Sequence, residues 1–302
     1  MNNTPRISAS SYSNTAPLVW SFLYGSNHGK VEIILDNAPA RSAELLAQDR
    51  VDAALVPVFA YQMIDGVKLI PDVCVGARER VRSVRLATKL DDLKDVRSVA
   101  LDVSSRTSVA LTKIIFREFL GTDPEWRPAQ PDIDAMLRVN DAAVLIGDPA
   151  LIMSATADGN ASMHENASPE PSDSLASTDS VEGTLPNGRV SARYRSYDLA
   201  ELWRTHTGLG FVFAMWMTRR DHSPIDFAAA RDEGLAHVDA IISNYESEIP
   251  LAREDMRRYL TENISYSVDE SMRAGMKLYY KLAHKHQLIG ENKPLNFADS
   301  II

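Results

Sequence analysis

Three polar turns hold the side chains in this sequence best suited to chemistry. Ser10-Ser-Tyr-Ser-Asn-Thr15, Asp102-Val-Ser-Ser-Arg-Thr-Ser108 and Gly147-Asp148 each follow a short apolar run that reads as a β-strand. In open α/β sheets ligands collect at the carboxyl ends of the strands. The second turn also opens a helix, whose free backbone N–H groups and neighbouring hydroxyls make a ready site for a carboxylate. Ser, Thr, Asn and Asp are equally the favoured helix N-caps, and any one turn taken singly is better explained as capping. The three together, in two different lobes, point to a shared cleft.

Other chemistries lack their residues. There is no Gly-x-Ser-x-Gly elbow, no His-Glu-x-x-His, no Walker loop and no Gly-x-Gly-x-x-Gly after a strand. His284 and His286 are two positions apart on a helix and so do not share a face; both are expected to be solvated, not ligands. The single cysteine, Cys74, lies in an apolar stretch and is expected to be a small buried hydrophobe, with neither a disulfide framework nor a thiolate metal site available.

Composition sets the frame. The 302 residues are 45% hydrophobic and 24% charged, enough for one large domain or two lobes with a real core. A net charge of -9 argues against a nucleic-acid groove or an anionic-lipid face, while leaving room for a local small-anion site. No run of about 18 apolar residues exists, so no membrane span is expected. Met1–Ser10 has no basic segment followed by an apolar one, and the expected location is the cytoplasm.

The elements that must position the turns alternate strand and helix. Strands are expected at Arg6–Ala9, Val31–Leu35, Asp52–Val58, Ser83–Thr88, Ser98–Val103, Ala142–Gly147 and Phe211–Trp216, with a helix entered at Pro17 and another running from the Ser104–Ser108 turn to about Leu120. Two successive strand–helix–strand units suggest two lobes: residues 1–87 with 207–302, and residues 88–206. Within the second, 159–193 is rich in Ser, Pro, Asn and Glu and reads as a disordered insertion. Helices expected over Asp226–Asn244, Ala252–Asn263 and Val268–His286 would cover the first lobe; an exposed apolar face on them fits lobe packing or a homodimer.

The sequence resembles the chorismate dehydratase family of the futalosine route to menaquinone. The matching segments are Ser11-Tyr-Ser-Asn-Thr-Ala-Pro-Leu18, Val51-Asp-Ala-Ala-Leu-Val-Pro57, Arg82-Ser-Val-Arg-Leu86, Leu101-Asp-Val-Ser-Ser-Arg-Thr-Ser-Val109, Leu145-Ile-Gly-Asp-Pro-Ala-Leu151 and Thr207-Gly-Leu-Gly-Phe-Val-Phe-Ala214. They span most of the chain in the family's order. Ser13 stands where the family usually has Leu, and Gly210 where it usually has Pro.

The resemblance implies a two-lobed α/β fold of the type-II periplasmic-binding-protein kind, closing over a small anion. It also implies loss of water from chorismate to give 3-[(1-carboxyvinyl)oxy]benzoate, with no metal or redox cofactor. Asn14 would orient the reacting hydroxyl or ether, or stabilise charge there. Thr107, Ser108 and nearby backbone N–H groups would hold one carboxylate, and Ser83 the other. Asp148 is either a general base or a helix cap; failing a side chain, a carboxylate of the substrate would take the proton. Arg106 is either a further carboxylate partner or half of an ion pair. Ser11, Thr15, Ser105, Gly147, Thr207 and Gly208 complete the expected substrate contacts. Two other readings stand beside this one: the sister enzyme that makes 1,4-dihydroxy-6-naphthoate, and a non-catalytic binding protein for an aromatic acid.

Overall fold

The computed structural model describes residues 4–161, 179–181 and 194–299. Two β-sheets form, one in each lobe. The first contains β1 (Arg6–Ser10), β2 (Glu32–Asp36), β3 (Ala53–Pro57) and β4 (Lys68–Ala77). The second contains β5 (Val84–Thr88), β6 (Ser98–Asp102), β7 (Glu125–Ala129), β8 (Ala142–Ile146), β9 (Asp179–Val181) and β10 (Tyr194–Asp198). β11 (Phe211–Thr218) then returns to the first sheet.

The strand orders are β2-β1-β3-β11-β4 and β7-β6-β8-β5-β10-β9. Each lobe thus has a parallel trio (β2-β1-β3 and β7-β6-β8) flanked by an antiparallel strand that arrives from the other lobe, β11 or β5. The central strands β3 and β8 are buried along their whole length, as expected for strands covered on both faces.

The chain crosses between lobes twice, at 78–83 and 199–210. The first crossing ends before Val84, so Val84–Ala87 belong to the second sheet, earlier than the expected boundary after residue 87. Asp198, buried, ties the crossings together. Its carboxylate accepts from Arg82 N at 2.7 Å and Val81 N at 3.1 Å, and caps the Leu199–Thr207 helix through Ala200 N at 3.0 Å. Arg82 pays for this path with a left-handed φ of 60°.

Of the segment read as a disordered insertion, 162–178 and 182–193 lie outside the described residues. Of the rest, residues 159–161 end the Gly147–Ala161 helix, and Asp179–Val181 pairs antiparallel with the outer edge of β10. The expected Asp226–Asn244 helix is two, Phe227–Ala236 and Val238–Tyr245, broken at His237. Near the break Gly234 lies so close to the Pro17 backbone that a Cβ would fall 1.9 Å from its carbonyl oxygen. The C-terminal helices spend their apolar stripes within the chain, with Met272, Met276, Tyr279 and Tyr280 buried. His286 is not solvated as expected; its Nε2 lies 2.7 Å from Glu118 of the second lobe. Cys74 is buried as expected.

Candidate functional site

A cavity of about 540 Å³, open mouth included, lies between the lobes at the carboxyl ends of β1, β3, β6 and β8. Its two sides differ in chemistry. The first lobe supplies an apolar wall, including Leu55, Pro57, Val75 and Phe213, with Ser10, Asn14 and Thr15 at its polar edge. The second lobe supplies an arc of hydroxyls, Ser104, Ser105, Thr107 and Ser108, at the start of the Thr107–Ile114 helix. That helix continues as a π-turn to Leu120, and its N-terminus directs free N–H groups and partial positive charge towards the arc.

The polar side chains divide between capping and availability. Thr15 Oγ1 donates to Ser10 O at 2.6 Å and Tyr12 O at 2.8 Å, holding its own turn. Ser105 Oγ accepts from Ser108 N at 3.2 Å, a helix cap. Thr107 Oγ1 accepts from Phe59 N at 3.2 Å, across the lobes. The Ser108 hydroxyl and the Asn14 amide make no well-aligned side-chain hydrogen bond among the described residues, although both residues are buried. Both line the cavity, where a ligand can reach them.

Of the expected site residues, Asn14, Thr15, Ser105, Thr107, Ser108 and Gly147 line the cavity. The others do not. Asp148 faces a separate outer groove, and its carboxylate accepts from Ser13 N at 3.2 and 3.3 Å and from Ser13 Oγ at 2.5 Å. Burial raises its pKa above the ordinary carboxylate value, the Ser13 bonds opposing that shift. The geometry makes it a tie between lobes, not a base facing Asn14. Ser11 lines the same groove and donates to Asn37 Oδ1 at 2.6 Å. Ser83 is fully buried behind the cavity, its carbonyl accepting from Gly147 N at 2.8 Å. Arg106 is the half-buried residue before the Thr107–Ile114 helix and does not line the cavity. Thr207 donates to Trp203 O at 2.7 Å, and Gly208, with φ 71°, ends the Leu199–Thr207 helix. Both serve helix termination.

Three residues escaped sequence reasoning. Tyr12 reaches across the cleft so that its hydroxyl interacts with Ser104, and its ring lies against Gly147. Burial pushes the Tyr12 phenol up, which keeps it protonated at neutral pH. Both Tyr12 and Ser104 sat inside the quoted motifs and were legible as polar turn residues. Tyr259, behind the cavity, is more than 240 positions from Asn14 and carries no local signal. Among the described residues lining the cavity Tyr12 is the only ionisable side chain, so none is an ionised base at neutral pH.

Comparisons with known proteins bear on family and fold. Residues 5–165 and 182–285 match the menaquinone biosynthesis family. The chain belongs to that family. This member is 29% identical over 254 residues to the chorismate dehydratase of Thermus thermophilus, covering 82% of this chain and 84% of that protein. Solved structures share the fold at lower identity. A protein from Archaeoglobus fulgidus superposes with a TM-score of 0.61 at 16% identity, over 94% of this chain and 98% of the other. The periplasmic aliphatic sulphonate binding protein of Escherichia coli gives 0.54 at 14% identity, over 99% and 94%. The fold is therefore the two-lobed α/β fold of periplasmic binding proteins, as the resemblance implied.

Both departures from the family pattern are used in this member. Ser13 makes the bonds to Asp148. Gly210 donates its N–H to Ser271 Oγ at 3.0 Å, which proline could not do, and a Cβ there would meet Met272 at 2.7 Å.

Proposed function

We propose that this protein is a carbon–oxygen lyase that dehydrates chorismate to 3-[(1-carboxyvinyl)oxy]benzoate, acting in the cytoplasm on the futalosine route to menaquinone. One observation supports it above the others. The cavity sets a hydroxyl arc and helix N-terminus opposite an apolar wall, with the Asn14 amide free at the edge and no ionised base in the lining.

Chorismate suits such a site. One carboxylate docks on Ser108, Thr107 and the helix N-terminus, while the ring lies on the apolar wall. The C–H bond beside the ether breaks, the ring gains its aromatic double bond, and the ring C–O bond breaks as hydroxide leaves. With no ionised side chain in the lining, a carboxylate of the substrate takes the proton and passes it to the departing oxygen, releasing water. Aromatisation supplies the driving force. The enzyme contributes positioning and preorganised hydrogen bonds, worth several kcal/mol. The Asn14 amide, a poor base, orients the leaving hydroxyl or the ether and stabilises charge there.

The test is direct. Purified protein is mixed with chorismate without added cofactor, and products are followed by chromatography and mass. Loss of one water to an aromatic enolpyruvyl ether, faster than spontaneous decay, supports the assignment. Unchanged chorismate with a folded protein would refute it, and cleavage of cyclic futalosine or binding without turnover would then be measured.

A further inference from the structure

The C-terminal layer places a tyrosine hydroxyl behind the cavity, beside Ser83 and Asn14, without a well-aligned hydrogen bond. Tyr259 is fully enclosed, and its Oη makes no well-aligned hydrogen bond among the described residues. Buried hydroxyls are rarely left so, and each exception calls for a reason. Tyr259 opens the π-turn Tyr259–Asn263, a local widening of the helix that often marks functional positions.

Its surroundings supply the reason. The Tyr259 hydroxyl approaches two side chains, Ser83 and Asn14. Ser83 Oγ has only a long bond of 3.4 Å to Val81 O, and the Asn14 amide has no well-aligned partner. Three groups with unused hydrogen-bonding capacity therefore meet, from the first-lobe turn, the interlobe crossing after the strained Arg82, and the C-terminal layer.

We infer that Tyr259 is a positioning residue for Asn14, aligning the amide for the substrate and taking Ser83 as its own anchor. This rests on the dehydratase reading. In this arrangement Ser83 Oγ–H leaves its long 3.4 Å bond to Val81 O and donates to Tyr259 Oη, Tyr259 O–H donates to Asn14 Oδ1, and the Asn14 Nδ2–H bonds point at the substrate. Each link polarises the next, which strengthens the donor offered to the reacting oxygen. Burial holds the phenol far above its ordinary pKa, so it stays a donor throughout the working range. Ser83 thereby acts on the reaction without lining the cavity.

The experiment compares the wild type, Tyr259→Phe, Ser83→Ala and the double variant on chorismate, with Tm measured for each. Wild-type turnover comes first, because its failure removes the dehydratase reading and this inference with it. Given turnover, Tyr259→Phe is expected to lower kcat about 10- to 100-fold with KM within about twofold and Tm nearly unchanged. The double variant should lose less than the product of the two single losses, since both break one chain of bonds. Wild-type kcat in Tyr259→Phe, a loss confined to KM, or fully multiplicative losses would each overturn the inference. If Tyr259→Phe does not fold, Ser83→Ala alone decides: a kcat loss at constant KM supports it, and unchanged kcat overturns it.

Discussion

Ser13 Oγ lies 2.5 Å from Asp148 Oδ1, joining the first-lobe turn that carries Asn14 to the second-lobe helix that begins at Gly147. The backbone N–H of Ser13 bonds the same carboxylate, so one residue meets Asp148 twice. A leucine at position 13 could supply only the backbone bond. The pair thus favours the closed arrangement in which Asn14 and Ser108 share one cavity. Ser13→Ala should destabilise the protein by about 1 kcal/mol and raise KM for chorismate by several-fold, measured by denaturant unfolding and steady-state kinetics. An unchanged KM would detach this bond from closure.

The buried carboxyl also sets a pH dependence. Burial raises the pKa of Asp148, and of Asp102, above the ordinary value, with bonds from Ser13 and Ser104 opposing it. Both are harder to ionise folded than unfolded. Their contribution to stability is therefore full below the ordinary carboxylate range and is lost as pH rises through the raised folded-state values. Asp148→Asn removes one such group, so Tm should fall less between about pH 4 and pH 7 than in the wild type. A steeper fall would contradict this.

Gly147 tests how closely the lobes meet. Its φ is 68°, and a Cβ would fall 2.8–3.0 Å from the Tyr12 ring. Gly147→Ala combines about 1–2 kcal/mol of left-handed strain with that clash. Tm should drop by several degrees and kcat/KM at least tenfold, read by thermal unfolding and the chorismate assay. Near-normal values would mean the ring moves aside freely.

Asn14 and Ser108 should separate kinetically. Asn14→Ala is expected to abolish turnover while leaving the protein folded, since its side chain lines the cavity and lies outside the hydrophobic core. Ser108→Ala removes a hydroxyl offered to a carboxylate and should raise KM about tenfold or more, with a smaller effect on kcat. Steady-state kinetics of both variants check the contrast, and turnover by Asn14→Ala near the wild-type rate would sink the role of Asn14.

Salt distinguishes neutral from cationic recognition. No Lys or Arg lines the cavity among the described residues, and the net charge is -9. Raising ionic strength from about 0.01 M to 0.1 M shortens the Debye length from about 30 Å to 10 Å and screens repulsion of a dianion. KM should fall or stay level. A several-fold rise would bring Arg106 back as a carboxylate partner.

The sequence by itself determined the elements and the turns. Continuous apolar runs such as Ala53–Pro57 and Ala142–Ile146 read as covered strands, and the Ser-Ser-Arg-Thr-Ser run as a helix start, because periodicity and capping are local properties. Strands without that signature were missed: Glu125–Ala129 is largely exposed and contains Pro128, and Tyr194–Asp198 carries Arg195, Ser196 and Asp198 with no alternation of apolar and polar residues. Tertiary structure alone decided which side of each turn faces the ligand. Asp148 and Asn14 both sit in polar turns after strands, yet one faces an outer groove and the other the cavity. The orientation of Asp148 is set by Ser13, 135 positions away, and the surroundings of Asn14 include Tyr259 from the C-terminal layer. Contacts between such distant positions exist only once both crossings have brought the lobes together, so no local pattern records them.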